Sequence, residues 1–151
     1  MAGRKFPPID IVPTWARLSD DLITLVDCVP EDQMNWSPRP NLWNFRGILL
    51  HIAGARDNWM GRVVKDGDPA PSVYETTRSK AEIQREFRRT WERVTRFLAD
   101  PARLAAQYQE DELVTGHWIA FHLLEHDIHH RADILHYLAL LGIETPEVGT
   151  P

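Results

Sequence analysis

The sequence predicts an all-α protein, a four-helix bundle. Three observations predict it. Apolar residues recur every three or four positions in four separate blocks, the period of an amphipathic helix. Proline and glycine clusters cut the chain between those blocks. No segment alternates convincingly as a strand does. Helices that are each apolar along one stripe bury those stripes against one another, which makes a bundle.

The first block runs from about Val12 to Val26, with Trp15, Leu18, Leu22 and Leu25 on its stripe, and ends near Cys28-Val29-Pro30. Pro30 cannot continue a helix interior. A loop containing Ser37-Pro38-Arg39-Pro40-Asn41 follows. The second block runs from about Asn44, a candidate N-cap, to Lys65. Its stripe is Ile48, Ile52, Ala55, Trp59 and Val63, and Asp66-Gly67-Asp68-Pro69-Ala70-Pro71 ends it. The third opens on Ser79-Lys80-Ala81-Glu82, a capping box in which each end residue satisfies the other's free backbone donor. Its stripe is Ile83, Phe87, Trp91, Val94 and Leu98, with Glu92 and Arg96 placed to pair one turn apart. Asp100-Pro101 closes it. The fourth runs from about Gly116 to Leu141, with Thr115 as candidate N-cap and Ile119, Leu123, Ile134, Tyr137 and Leu141 on its stripe. Gly142 stands where a helix-ending glycine belongs, and Pro146 follows. The long links after the first and second blocks and before the fourth allow crossover connections.

The 151 residues predict a single domain, 1–151, large enough for a core without disulfides. Hydrophobic residues make up 43% and charged residues 26%, which excludes a disordered chain. No apolar run approaches the ~18 residues of a membrane span. The basic N-terminus has no apolar region behind it, so no signal peptide is expected, and the expected location is cytoplasmic. One cysteine excludes an intramolecular disulfide and a cysteine-based zinc site. The net charge of −5 disfavours nucleic acid as the main partner.

Seven histidines in so short a chain ask whether they are placed or scattered. With Ile119 as zero, His126 falls at about −20° and His130 at about +20° around the fourth helix. Both therefore point along the stripe, and a spacing of four lets them chelate one ion. His122 and His129 fall at the stripe's edge, while His117 and His136 point away. On the second helix, taking Ile48 as zero, His51 falls at about −60°, bordering the interior. A single inward histidine is ordinarily a hydrogen-bonded core residue. Two in an apolar stripe are costlier to bury, because each ring needs both a donor and an acceptor. A third from another helix makes a metal site the better account. Three imidazoles with an open position are the pattern of a catalytic metal site, and nitrogen ligands suit Zn, Ni or Fe better than Mg or Ca.

His126-Asp127-Ile128-His129-His130 also reads H-D-x-x-H, close to the zincin H-E-x-x-H. A zincin takes a third ligand from beyond that helix, where only Glu144 and Glu147 are conceivable, and no substrate-binding strand is expected. A di-iron bundle needs Glu-x-x-His on two helices, which these stripes lack.

The run His122-Leu-Leu-Glu-His126-Asp-Ile-His-His130-Arg131-Ala-Asp133, followed by an apolar stretch, Gly142 and Pro146, resembles the DinB-like (DinB/YfiT) superfamily of metal-binding four-helix bundles. Its pattern is similar to H-x3-H-E-x-H-H-R-G-Q. The stretch from Trp36 through Trp43 to Leu49-Leu50-His51 is similar to the segment that leads to that family's second-helix histidine. The resemblance implies an up-down-down-up bundle, a metal triad on His51, His126 and His130, and a homodimer. It also implies thiol-dependent transferase or isomerase chemistry with a low-molecular-weight thiol. Asp127 replaces the pattern's Glu, and Ala132-Asp133 replaces its Gly-Gln. Asp133 could then serve as hydrogen-bond acceptor for a ligand ring.

The expectation is a metal-dependent enzyme: a divalent ion, Zn or Ni before Fe or Mn, in a pocket at the bundle's end, activating a thiol or a water toward a small-molecule substrate. Asp127, His122 and Asp133 are the candidate supporting or acid–base residues. Their plainer roles are a partner for Arg131 in the case of Asp127, and gap filling in the case of His122. The alternative is a non-catalytic metal-binding or ligand-sensing bundle. The third block's six cationic residues against three acidic ones could suggest nucleic acid, but a solvated, ion-paired helix face explains them better. Cys28 reads as structural. The loop bearing Trp36 and Trp43 either lines a pocket or covers the core.

Overall fold

A computed structural model of the chain describes residues 9–69, 73–76, 79–110 and 113–149. Among these, the helices are α1 (Val12–Cys28), α2 (Phe45–Asn58), α3 (Val73–Thr76), α4 (Lys80–Leu98), α5 (Pro101–Ala105) and α6 (Gly116–Leu140). A π-helical turn, Trp59–Val64, prolongs α2, and no strand occurs among the described residues.

The helix ends form where the sequence places its caps. Asn44 Oδ1 accepts from the Gly47 N–H at 2.8 Å. Ser79 and Glu82 form both bonds of a capping box, at 3.2 and 2.8 Å. Thr115 Oγ1 accepts from the Trp118 N–H, and Gly142 adopts φ +70° beyond the end of α6. Asp100 stops α4 but also caps α5, accepting from Ala102 and Arg103. A side chain at position 116 would collide with the Arg103 carbonyl and the Leu104 backbone, so Gly116 lets α5 lie against the start of α6.

α1 and α2 each pack against both α4 and α6, which places α1 and α2 across the bundle from one another. Gln84 donates to the Ile23 carbonyl and Trp91 packs on Trp15, so α4 runs opposite to α1. The pairs His51–His126 and Trp59–Trp118 run α6 opposite to α2. Trp36 packs on Phe45 and edge-on to Tyr137, pinning the link between α1 and α2 against the core.

Two inward faces differ from the periodicity. On α2 the buried line is Ile48, Leu49, Ile52, Ala53, Arg56, Met60 and Val64, while Ala55, Trp59 and Val63 lie half-buried beside it. The π-turn lengthens the repeat over 59–64, and the inward face includes a charge that an apolar stripe cannot select. On α6 Asp127 is fully buried along with Ile119, Leu123, Ile134 and Leu138, and His126 and His130 sit at its flank with side chains 15% and 16% exposed. Taking Ile119 as the centre of the stripe placed them too far inward.

The charges of α4 also differ from the expected solvated face. Arg93 is buried, reaching Asp57 at 2.9 Å and Asp66 at 2.6 Å. Arg89 binds Asp57 and Glu86. Arg96 pairs with Asp68 at 2.7 Å instead of Glu92. No described helix is long and apolar enough to cross a membrane.

Candidate metal centre

α2 and α6 bring three histidines together on the flank of the bundle, not at its end. His51 Nε2 and His126 Nε2 lie 2.8 Å apart. One ring nitrogen from each of His51, His126 and His130 falls within a 4.8 Å cluster. The sequence produces this locally: His126 and His130 are one helical turn apart on α6, and Asn44 starts α2 at a phase that turns His51 toward them. Trp43, just before that cap and half exposed, covers the cluster, stacked on His130 at 6.3 Å and edge-on to His51 at 4.4 Å.

The surroundings set each ring's chemistry. Burial, then the proximity of His126 and His130, lowers the His51 pKa to about 4. Burial and His126 lower that of His130 as well, opposed by Asp133. Both rings are therefore neutral near pH 7, the form that binds a metal. His130 Nδ1 donates to Asp133 Oδ2 at 3.0 Å, which leaves Nε2 as its free donor atom. His126 Nδ1 is buried without a hydrogen-bond partner and faces Asp127 Oδ1, also without one, at 3.5 Å, too long for a hydrogen bond.

Asp127 does not pair with Arg131, which instead binds Asp21 at 2.7 Å. Its Oδ2 accepts from Trp15 Nε1 at 2.8 Å and from Arg56 Nη2 at 2.7 Å. Burial pushes this carboxyl's pKa up, but the Arg56 charge and these donors outweigh it and hold the pKa below the ordinary value. Arg56 is not among the residues named from the sequence, and Trp15 is named there only as part of the first helix's apolar stripe. The spacing Ile48, Ile52, Arg56 carried the signal for the arginine.

His122 lies outside the cluster. It stacks on Trp118 (4.8 Å, 7°) and meets Trp59 edge-on, and burial followed by His126 lowers its pKa. It lines a cavity of about 480 Å³ with His51, His126, Trp59, Arg62 and Tyr74. The wall from α3 was not anticipated. Neither Glu144 nor Glu147 joins a metal-capable cluster among the described residues, so the zincin arrangement does not form. His129 and Asp133 lie 3.7 Å apart and form, with His130, a second and more exposed group. Burial raises the Cys28 thiol pKa, with Asp27 adding to the rise.

Residues 14–134 match the DinB superfamily, described by that name. This chain belongs to the DinB superfamily. A DinB-like protein from Bacillus subtilis, known from a crystal structure, superposes with a TM-score of 0.70, covering 91% of this chain and 95% of that one. At 18% identity this likeness concerns the DinB-like fold alone. No curated protein matches the chain significantly. The histidine donor set fits a metal ion. Its nitrogens converge, two of the rings are held neutral, and the Nδ1 atoms of His126 and His130 face carboxylates as the outer nitrogens of metal-bound imidazoles do.

Proposed function

We propose that this DinB superfamily member is a metal-dependent enzyme of thiol-transferase, isomerase or hydrolase type. His51, His126 and His130 hold one divalent transition ion, and a cavity beside them admits a small-molecule substrate. The observation that carries this is that His51 and His126 belong at once to the histidine cluster and to the wall of the 480 Å³ cavity. A ligand in that cavity would lie beside two of the three rings that would hold the ion. An all-nitrogen ligand set favours Zn or Ni over Fe or Mn.

When bound, such an ion lowers the pKa of a thiol or water placed on it, making a nucleophile near neutral pH. The chain supplies the rest. Asp133 fixes the tautomer of His130. Asp127 stands opposite His126 Nδ1 with its charge balanced by Arg56, so it would stay ionised while facing the ring. His122 lies on the cavity wall with its pKa lowered by burial, and would be the group there able to accept a proton from a thiol or water. Trp43 keeps bulk water from the cluster's outer side. The low-molecular-weight thiol as co-substrate and a cytoplasmic, homodimeric state belong to the same proposal. The exposed Trp118, Phe121 and Ile128 of α6 support self-association.

The test is metal content by mass spectrometry on tag-free protein beside a His126→Ala, His130→Ala variant. Close to one Zn or Ni per chain, lost in the variant, supports the centre and justifies assays with thiols and esters. No metal after exposure to each ion would sink it.

A further inference from the structure

The cavity beside the histidines has a chemical bias of its own. We propose that it takes an organic anion with a flat body, Arg62 holding the charged group at the rim, Trp59, Tyr74 and His122 holding the body, and the far end reaching His51 and His126. This deepens the enzyme proposed above and rests on it for the reactive end.

Charge comes first. Arg62 is exposed, lines the cavity and has no hydrogen-bond or ion-pair partner among the described residues. Asp57 is the acidic residue among the described lining, and it is already bound by Arg89 and Arg93. Among the described lining, a carboxylate, sulfonate or phosphate entering here therefore meets one free guanidinium and no free acid, and arginine's planar fork recognises such a group. A cation would meet the like charge of Arg62 instead.

Shape comes second. The indole of Trp59 and the ring of His122 stand 5.1 Å apart, with Trp118 stacked behind His122, and Tyr74 lies on the facing α3. Flat aromatic walls favour a flat partner. The volume of about 480 Å³ is that of a small-molecule site. Gly54 lies against the α3 wall, where a Cβ would contact Tyr74 and Val73 at 3.4 Å. Trp59 and Arg62 both belong to the π-helical turn, a rare element that recurs at functional sites. It points both toward the cavity while Met60 and Val64 go to the core.

Spacing comes third. His51 and Arg62 are about 16 Å apart along a helix axis, which an extended arginine side chain shortens to roughly 10 Å. The ligand's anionic group should therefore sit some way from its reacting atom.

The test uses 4-phenylbutyrate as probe, beside the neutral 4-phenylbutanol and the cationic 4-phenylbutylamine. Calorimetry is run on chelator-stripped and on metal-loaded protein, wild type and Arg62→Ala. Arg62 is exposed, so the variant should keep the wild-type Tm. The expected result is binding of the acid to stripped wild type, at least tenfold tighter than the alcohol, with no binding of the amine. Arg62→Ala should bring the acid down to the alcohol's affinity. Equal binding of the acid by wild type and variant overturns the proposal. Binding only to loaded protein, independent of Arg62, also overturns it and puts the carboxylate on the ion, leaving the metal centre standing. Arg62-dependent binding by a protein that retains no metal supports the anion site and removes the metal-dependent chemistry instead.

Discussion

Two polar clusters hang from α2 little more than a turn apart, and they differ in how completely they are satisfied. Arg56 and Asp57 are saturated. Arg56 binds Asp127, Ser19, Thr90 and the Phe87 carbonyl, and Asp57 binds two arginines. The histidine cluster is not. His51 and His126 turn nitrogens toward each other, and His126 Nδ1 has no partner. A buried polar group that is fully paired specifies the fold; one that is under-paired waits for something else. The difference assigns the first cluster to stability and the second to a ligand, and each assignment can be broken.

The largest effect should come from the saturated side. Arg56→Met leaves the Asp127 carboxylate buried and without its counter-charge, which costs about 3–5 kcal/mol. Urea unfolding measures it. A loss under about 1 kcal/mol would mean that water reaches Asp127, and the contrast between the clusters would collapse.

The unsaturated side should behave oppositely. Removing His126 and His130 together should change the metal-free stability far less than Arg56→Met does. It should abolish the gain on adding Zn or Ni, about 2.7 kcal/mol at a hundredfold excess over Kd. Thermal shifts with and without metal separate the two. A double variant that unfolds without metal would place the histidines among the fold's own supports.

Asp133 sharpens the comparison from within the cluster. It is partly exposed and holds His130 Nδ1. Asp133→Asn should weaken metal retention about 10- to 100-fold while leaving the metal-free Tm in place. Competition with a chromophoric chelator reads the affinity directly. An unchanged affinity would make the contact incidental.

The caps at Asn44, Ser79 and Thr115, the glycine after α6 and the His126–His130 pair were legible because each is a local pattern: a side chain, its own helix turn, and a fixed spacing. His51, 75 positions away from His126, was legible only through its phase on α2 and the family resemblance. Legibility failed where partners come from elsewhere in the chain. Asp127 looked like a neighbour of Arg131, yet its partners are 71 and 112 positions away. Arg93 looked like surface charge, yet Asp57 and Asp66 draw it inward. The π-turn that aims Trp59 and Arg62 at the cavity carries no pattern in composition. The cavity's third wall, Val73 and Tyr74, lies just after Pro69 and Pro71, in a stretch that reads as loop.

The smallest effect is a titration, and its sign follows from the His51 shift. In the folded, metal-free protein this ring has a pKa of about 4 against 6.5 when unfolded, lowered by burial and by its two neighbours. Between those values the unfolded chain binds the extra proton, so stability falls as pH drops from 6.5 to 4 and this residue contributes no further change below that. Solvent screening keeps the effect small, because the ring is only half buried. His51→Asn should therefore flatten the Tm profile of stripped protein in that window and nowhere else. In loaded wild type a bound ion would compete with the proton, and the slope should extend to lower pH. If stripped and loaded protein share one profile, metal and protons do not compete for these nitrogens, and the under-paired cluster is not where the ion sits.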